Sequence, residues 1–158
     1  MDVASELPWR RGPRPTTTST FPHSQVDQQP DDRGLLEGLA RRAFALPGVI
    51  EQPSCVSVPG ARALVLSEER TAGPATAFIK QREFAHLHPG PDWSLHVALP
   101  DATADLAIER GWGELHLIAR TEDLPGSVVL IYAPRDDGEV DAVWALLLAS
   151  YEHADGES

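Results

Sequence analysis

The sequence predicts an α+β domain: a mostly antiparallel sheet of about five to six strands, with an N-terminal helix, a short middle helix and a C-terminal helix packed on one face. Three observations predict it. Apolar residues recur at helical spacing near both ends of the chain, at Leu36, Leu39, Ala43 and Leu46 and again at Val140, Val143, Trp144, Leu147 and Tyr151. Between them lie short β-forming runs separated by Pro, Gly and charged turn residues. Two of those runs, 84–88 and 95–99, alternate in the manner of a half-buried hairpin.

The first helix begins after Asp31 and Asp32, whose carboxylates suit an N-cap. Arg41 and Arg42 lie late in it, where cations suit the helix dipole, and Pro47-Gly48 stops it. Three runs then read as strands of a meander: 55–58 ending at Pro59-Gly60, 62–66 ending in Ser67-Glu68-Glu69-Arg70, and 75–79 following Gly73-Pro74. Residues 84–88 and 95–99 pair around Pro89-Gly90-Pro91-Asp92-Trp93. Pro100 breaks the second of these strands, and Asp101 caps a helix that runs to Arg110 and ends at Gly111. Residues 127–132 are strongly β-forming, and the last helix covers 137–153.

With 158 residues the chain suits one domain plus a tail. Residues 1–32 read as a disordered tail, because Pro8, Pro13, Pro15, Pro22 and Pro30 and the polar run Thr16-Thr17-Thr18-Ser19-Thr20 leave too few apolar residues to offset the entropy of ordering. Residues 33–154 form the domain, and 155–158 fray. The formal charge of −11 argues against nucleic acid and against an anionic membrane surface as partners. The single cysteine, Cys55, excludes an internal disulfide and reads as a small buried residue in a strand. No apolar run approaches the ~20 residues of a membrane span, and the N-terminus lacks the pattern of a secretory signal, so a cytoplasmic protein is expected. The expected partner is a small molecule; the oligomeric state is left open.

Four of the six histidines fall between residues 86 and 116. If the five-residue loop sets His88 opposite Ser94, then His86 faces His96 and Phe84 faces Ala98. Ala85, Leu87, Leu95, Val97 and Leu99 then make one apolar face for helices to cover, and His86, His88 and His96 share the other. A one-residue slip would bury histidine among leucines. Opposed imidazoles cannot both be charged cheaply, so one stays neutral as a base or ligand. The spacing matches no common zinc signature. A bound metal is therefore not expected, although Glu114 or Asp92 could add the carboxylate that a metal site on this face would need.

Other residues are candidates for holding a ligand. Glycines on both sides of Trp112 aim its indole at a fixed spot, as a pocket wall or as a core plug. Trp93 at the hairpin tip is a lid or a loop anchor. Arg135, closing the last strand, could stabilise a substrate anion or pair with Glu109, Glu114 or Asp136. Glu114 and His116 follow the middle helix, and Phe84 belongs with the histidine face.

The segments Arg82-Glu83-Phe84-Ala85-His86-Leu87-His88-Pro89, Ser94-Leu95-His96-Val97-Ala98-Leu99-Pro100, Gly111-Trp112-Gly113-Glu114-Leu115-His116 and Tyr132-Ala133-Pro134-Arg135 together resemble the luciferase-domain family. That family is named for the luciferases of luminous fungi and includes many small actinobacterial proteins. The resemblance covers about residues 35–153. It implies oxidation of a hydroxylated pyrone-like molecule by molecular oxygen without metal or organic cofactor. His86, His88 and His96 would deprotonate and hold an electron-rich enol, Arg135 would stabilise negative charge, and Trp112 would wall the ring. Phe84, Trp93, Glu114 and His116 complete the expected binding set. The membrane-anchoring segment expected of the fungal enzymes is missing from this sequence.

Three functions are therefore in competition: a cofactor-independent oxygenase acting on a small enolisable or phenolic molecule, a metal-dependent enzyme on the same face, and a non-catalytic binding or interaction module. An enclosed cavity beside His86 and His96 is expected of the first, and a flat histidine face of the third.

Overall fold

The computed structural model describes Val3 and residues 7–157. From residue 7 on, the described residues form three α-helices and six strands in the order α1 (Gly34–Phe44), β1 (Val49–Pro53), β2 (Arg62–Leu66), β3 (Glu83–Leu87), β4 (Leu95–Leu99), α2 (Asp101–Glu109), β5 (Gly113–Leu115), β6 (Ser127–Ile131) and α3 (Asp137–Ala154). The strands form one sheet in the order β1-β2-β3-β4-β6-β5, antiparallel throughout. This is the α+β architecture that the periodicities predict.

All three helices feed one core. Leu39, Ala40 and Ala43 of α1, Ala104 and Ala107 of α2, and Val143, Leu146, Leu147 and Tyr151 of α3 pack with Ala85, Leu87, Leu95, Val97, Leu99, Val129 and Ile131 of the sheet. On α3, Val143, Leu147 and Tyr151 are buried as the stripe requires, while Val140 and Trp144 lie half-buried at its edge. Asp136 caps α3 by accepting from the Glu139 backbone N–H at 2.8 Å. A smaller apolar cluster of Ala98, Ala119, Leu124 and Val128 lies apart from that core. No helix among the described residues is long and apolar enough to cross a membrane.

Several local expectations are corrected. The first strand is β1 rather than 55–58. There the Ser54 hydroxyl accepts from the Val56 and Ser57 amides at 3.2 and 3.1 Å and bends the chain, so Cys55 is exposed instead of buried. Residues Ala75–Ala77 form a 3₁₀ turn instead of a strand. Asp101 is the first helical residue and not the cap; its carboxylate accepts from Ser127 Oγ at 2.6 Å.

The largest correction concerns the chain ends. Residues 7–30, expected as a disordered tail, form an arm laid against the domain. Leu7 is buried in the main core. The Arg10 amide donates to Arg110 O at 2.9 Å, and Arg14 donates to Gly113 O at 2.8 Å and to Ile108 O. Thr17 and Gln25 bridge to make a small antiparallel loop, and Gln25 accepts from the Ala133 amide at 2.9 Å. The arm lacks a core of its own, yet it fills the domain's core and satisfies carbonyls that α2 and β5 leave open. Residues 1, 2 and 4–6 of the expected tail lie outside the described residues. At the other end, Asp155 is buried, bridges Ala72 and accepts from Arg70, so the expected fraying at 155–157 does not occur; Ser158 lies outside the described residues.

Candidate functional site

The register of β3 and β4 builds the site. Ala85 pairs with Val97, His86 with His96 and Leu87 with Leu95, and the His88 amide donates to Ser94 O. The aliphatic set meets the helices, so the imidazoles collect on the opposite side. His86 Nε2 lies 3.0 Å from His96 Nδ1. The rings of His88 and His116 centre 4.5 and 4.7 Å from that of His96.

Phe84 does not join them. Leu64 pairs with Ala85 but Val65 with Glu83, which makes Phe84 the extra residue of a β-bulge. The bulge sends Phe84 into the helix-side core, with its ring 6.3 Å from that of Tyr151, and gives its place on the histidine face to Glu83. Glu83 Oε2 accepts from His86 Nδ1 at 2.7 Å and from Ser54 Oγ at 2.8 Å, and Oε1 accepts from the Cys55 amide at 3.2 Å. Burial pushes this carboxyl up, but the bonds from His86, Ser54 and Cys55 outweigh it and hold the group below its ordinary range.

A fifth ring comes from the arm. His23 is buried, with its centroid 5.6 Å from that of His96 and 5.5 Å from that of His116. Its Nε2 donates to Glu114 Oε2 at 3.0 Å. Glu114 also accepts from Thr17 at 2.8 Å and Tyr132 at 2.9 Å. Glu114 therefore holds His23 in place.

The hydrogen-bond network assigns the protons. Ser94 Oγ donates to Asp92 Oδ1 at 2.6 Å, so it accepts from His88 Nδ1–H at 3.0 Å and leaves the lone pair of His88 on Nε2. Asp92 Oδ2 stands 3.3 Å from the same Nδ1. The Glu83 carboxylate accepts from His86 Nδ1–H, and His86 Nε2 and His96 Nδ1 share one proton between them; when His96 Nδ1 holds it, His96 Nε2 carries a lone pair. Burial, then the neighbouring His86 ring, pushes His88 down to about 3. Burial, then the other rings, holds His96 well below the ordinary imidazole value. Burial, then His23, pushes His116 down to about 4. At neutral pH these three rings are uncharged.

The face is neither flat nor sealed. A cavity of about 1030 Å³ opens beside the rings, and His23, His86, His88, His96 and His116 all line it. Val58, Ile79, Ile118, Leu124 and Val128 supply apolar walls, Phe21 stands at the arm side, and Lys80 is the single Lys or Arg in the lining. Such a volume suits a small organic molecule.

The remaining expected site residues lie elsewhere. Trp112 is a core plug: it is buried among the helix-side residues and donates from Nε1 to Pro8 O at 2.6 Å. Its flanking glycines have separate reasons. Gly111 adopts φ +86°, and a Cβ on Gly113 would stand 2.4 Å from Leu130 O. Trp93 faces Arg33 at a separate depression beside Pro30 and Asp31. Arg135 is engaged by Glu139, 2.6 Å from its Nη2, and by Gln28 and the Arg11 carbonyl. It is absent from the cavity lining, so its expected place in the site is corrected to a structural ion pair. Glu114 touches the site through His23 and does not itself line the cavity.

Sequence comparison agrees with this geometry. Residues 81–150, which span the hairpin, the middle helix and most of the last, match the family model described as Luciferase domain. A luciferase from Armillaria gallica is 30% identical over 161 aligned residues, covering 92% of this chain and 60% of the relative. A luciferase from Neonothopanus nambi is 27% identical over 175, with the same two coverages. The chain thus spans about 60% of the length of the curated relatives it matches. No solved structure matches. The ordered motifs, the paired histidine strands they form and these similarities agree: the chain is similar to luciferase-domain proteins, with residues 81–150 matching the domain model and 92% of the chain aligning with a fungal luciferase.

Proposed function

We propose that the chain binds a small enolisable or phenolic molecule in the histidine cavity and promotes its reaction with molecular oxygen, as a luciferase-like oxygenase. The observation that supports this most is a set of uncharged imidazoles buried at the wall of an apolar cavity of about 1030 Å³. His88 is the proton acceptor in this reading. Its Nδ1–H is fixed by Ser94, its Nε2 is free for substrate, and Asp92 stands by to compensate the imidazolium that forms. The substrate O–H bond breaks and its proton goes to His88 Nε2. The resulting carbanion-like carbon gives its electron pair to dioxygen, a C–O bond forms, and dioxygen is reduced to the peroxide level. Apolar walls exclude water that would otherwise solvate and quieten the anion.

The test is substrate-dependent oxygen uptake by the full chain across a panel of phenols and hydroxypyrones, with thermal shift as the binding readout. His88→Ala is expected to lower turnover by about 10²–10⁴-fold with the fold retained. Undiminished turnover removes His88 from the mechanism. Neither uptake nor a thermal shift with any panel member overturns the reading.

A further inference from the structure

The five rings around the cavity are not equally engaged. His86 is bonded at both nitrogens, to Glu83 and to His96, and His88 is tied through Nδ1 to Ser94. Among the described residues, the imidazole nitrogens that are buried without any partner are His23 Nδ1 and His96 Nε2. Both rings are more than nine-tenths buried. An unpaired polar atom in such a place costs free energy unless something else binds it. These two rings, with His116, each offer a ring nitrogen within 4.8 Å of the others. A tetrahedral ion with bonds near 2.05 Å would draw such nitrogens to about 3.4 Å, a closure of the order of 1 Å.

Two of the three rings have the outer contacts that metal-bound histidines require, while His116 accepts from the Ile118 amide at 3.3 Å through Nδ1 and would give up that bond on ligation. His23 gives its other N–H to the Glu114 carboxylate, and His96 shares its own with His86, which is backed by Glu83. Such partners fix the tautomer, orient the ring and raise its basicity as a ligand. The Glu114 carboxylate directly behind His23 and the Glu83 carboxylate behind His86 would offset part of the charge of a bound dication.

We propose that His23, His96 and His116 form a binding site for a divalent first-row transition metal, with its remaining coordination positions open to the cavity. Three nitrogen ligands with an open position are the pattern of catalytic rather than structural metal sites. The proposal rests on the reading above only for what the ion would do there: as a Lewis acid it would receive the oxygen of the enol or phenol and ease transfer of its proton to His88. Binding of the ion stands on its own geometry. It also gives the arm a purpose, because one ligand comes from residue 23, outside the 81–150 segment that matches the family model.

The test uses the full chain purified without a polyhistidine tag and stripped with chelator, titrated with Zn²⁺ by calorimetry and with Co²⁺ by visible absorption. One ion per chain is expected, with a Co²⁺ spectrum of tetrahedral or five-coordinate intensity. His23→Gln, which keeps a donor for Glu114, and His116→Gln should each weaken binding by about 100-fold or more, Glu114→Gln by about 10–100-fold, and His153→Gln, on the far helix, not at all. Circular dichroism of each variant separates lost ligands from lost folding. Absence of stoichiometric binding to the wild-type chain overturns the proposal, as does unchanged affinity in folded His23→Gln and His116→Gln. Oxygen uptake by metal-free protein that binds no ion overturns the metal site and leaves the oxygenase reading; a bound ion with no turnover of any panel member does the reverse.

Discussion

His86 and His96 face one another across β3 and β4 with 3.0 Å between Nε2 and Nδ1, and Glu83 closes the other side of His86 at 2.7 Å. One imidazole thus joins a buried carboxylate to the ring that meets the cavity. His86→Ala would leave Glu83 buried with Ser54 and Cys55 as its remaining partners. The expected loss is about 3 kcal/mol by denaturant unfolding. Glu83→Gln added to that variant should return part of the loss, and the double-mutant cycle measures the coupling. Strictly additive losses would mean that the two side chains do not act on each other.

The bulge at Phe84 separates packing from binding. Phe84→Ala should destabilise the fold by about 3–5 kcal/mol, as truncation of a buried aromatic does, while leaving ligand affinity in the folded fraction unchanged. Phe21→Ala should behave oppositely. Phe21 is 63% exposed and lines the cavity, so stability should move by less than about 0.5 kcal/mol while affinity for an aromatic ligand falls. Thermal unfolding and equilibrium binding on the same two proteins decide the matter.

The Arg135–Glu139 pair sets a pH test. Burial raises the Glu139 carboxyl, but the hydrogen bonds and charge of Arg135 outweigh it, so its folded value lies below 4.5. A carboxylate depressed in the folded state stabilises fully above its unfolded value and loses that contribution as pH falls through the folded one. Arg135→Ala should therefore cost about 2 kcal/mol at pH 7, a gap from wild type that shrinks as the pH is taken below 4.5. Turnover, where measured, should be unaffected at pH 7, since Arg135 does not reach the cavity.

Leu7 anchors the arm. Leu7→Ala should cost about 2–4 kcal/mol and make the arm easier for a protease to cut. A solvated tail would give no change in either measurement.

The hairpin was the most legible part of the sequence because two constraints coincide there. Alternation places the aliphatic residues of 85–87 and 95–99 on one face, and only one register keeps them together, so the His86–His96 pairing follows. The same reasoning failed one residue upstream. A bulge leaves no mark in alternation, so Phe84 was placed by parity and Glu83 was missed. His23 was missed for a different reason: it lies among prolines and threonines whose ordering draws on the domain's core and open carbonyls, which composition does not count. The Phe21-Pro22-His23 triple, two aromatic side chains beside a proline in a polar stretch, was the available hint. Trp112 and Arg135 show the limit of reading side chains singly, since each is claimed by a partner distant in sequence or by a helix turn, Pro8 and Glu139 respectively.

The arm also closes a margin of the sheet. β5 is an outermost strand of three residues, and Arg14 takes up the Gly113 carbonyl there. At the opposite margin β1 carries Pro53 and the Glu51–Arg62 ion pair along its rim. Among the described residues, a foreign strand therefore meets only short outermost strands, of three and five residues, which limits the row of amides open to cross-β pairing.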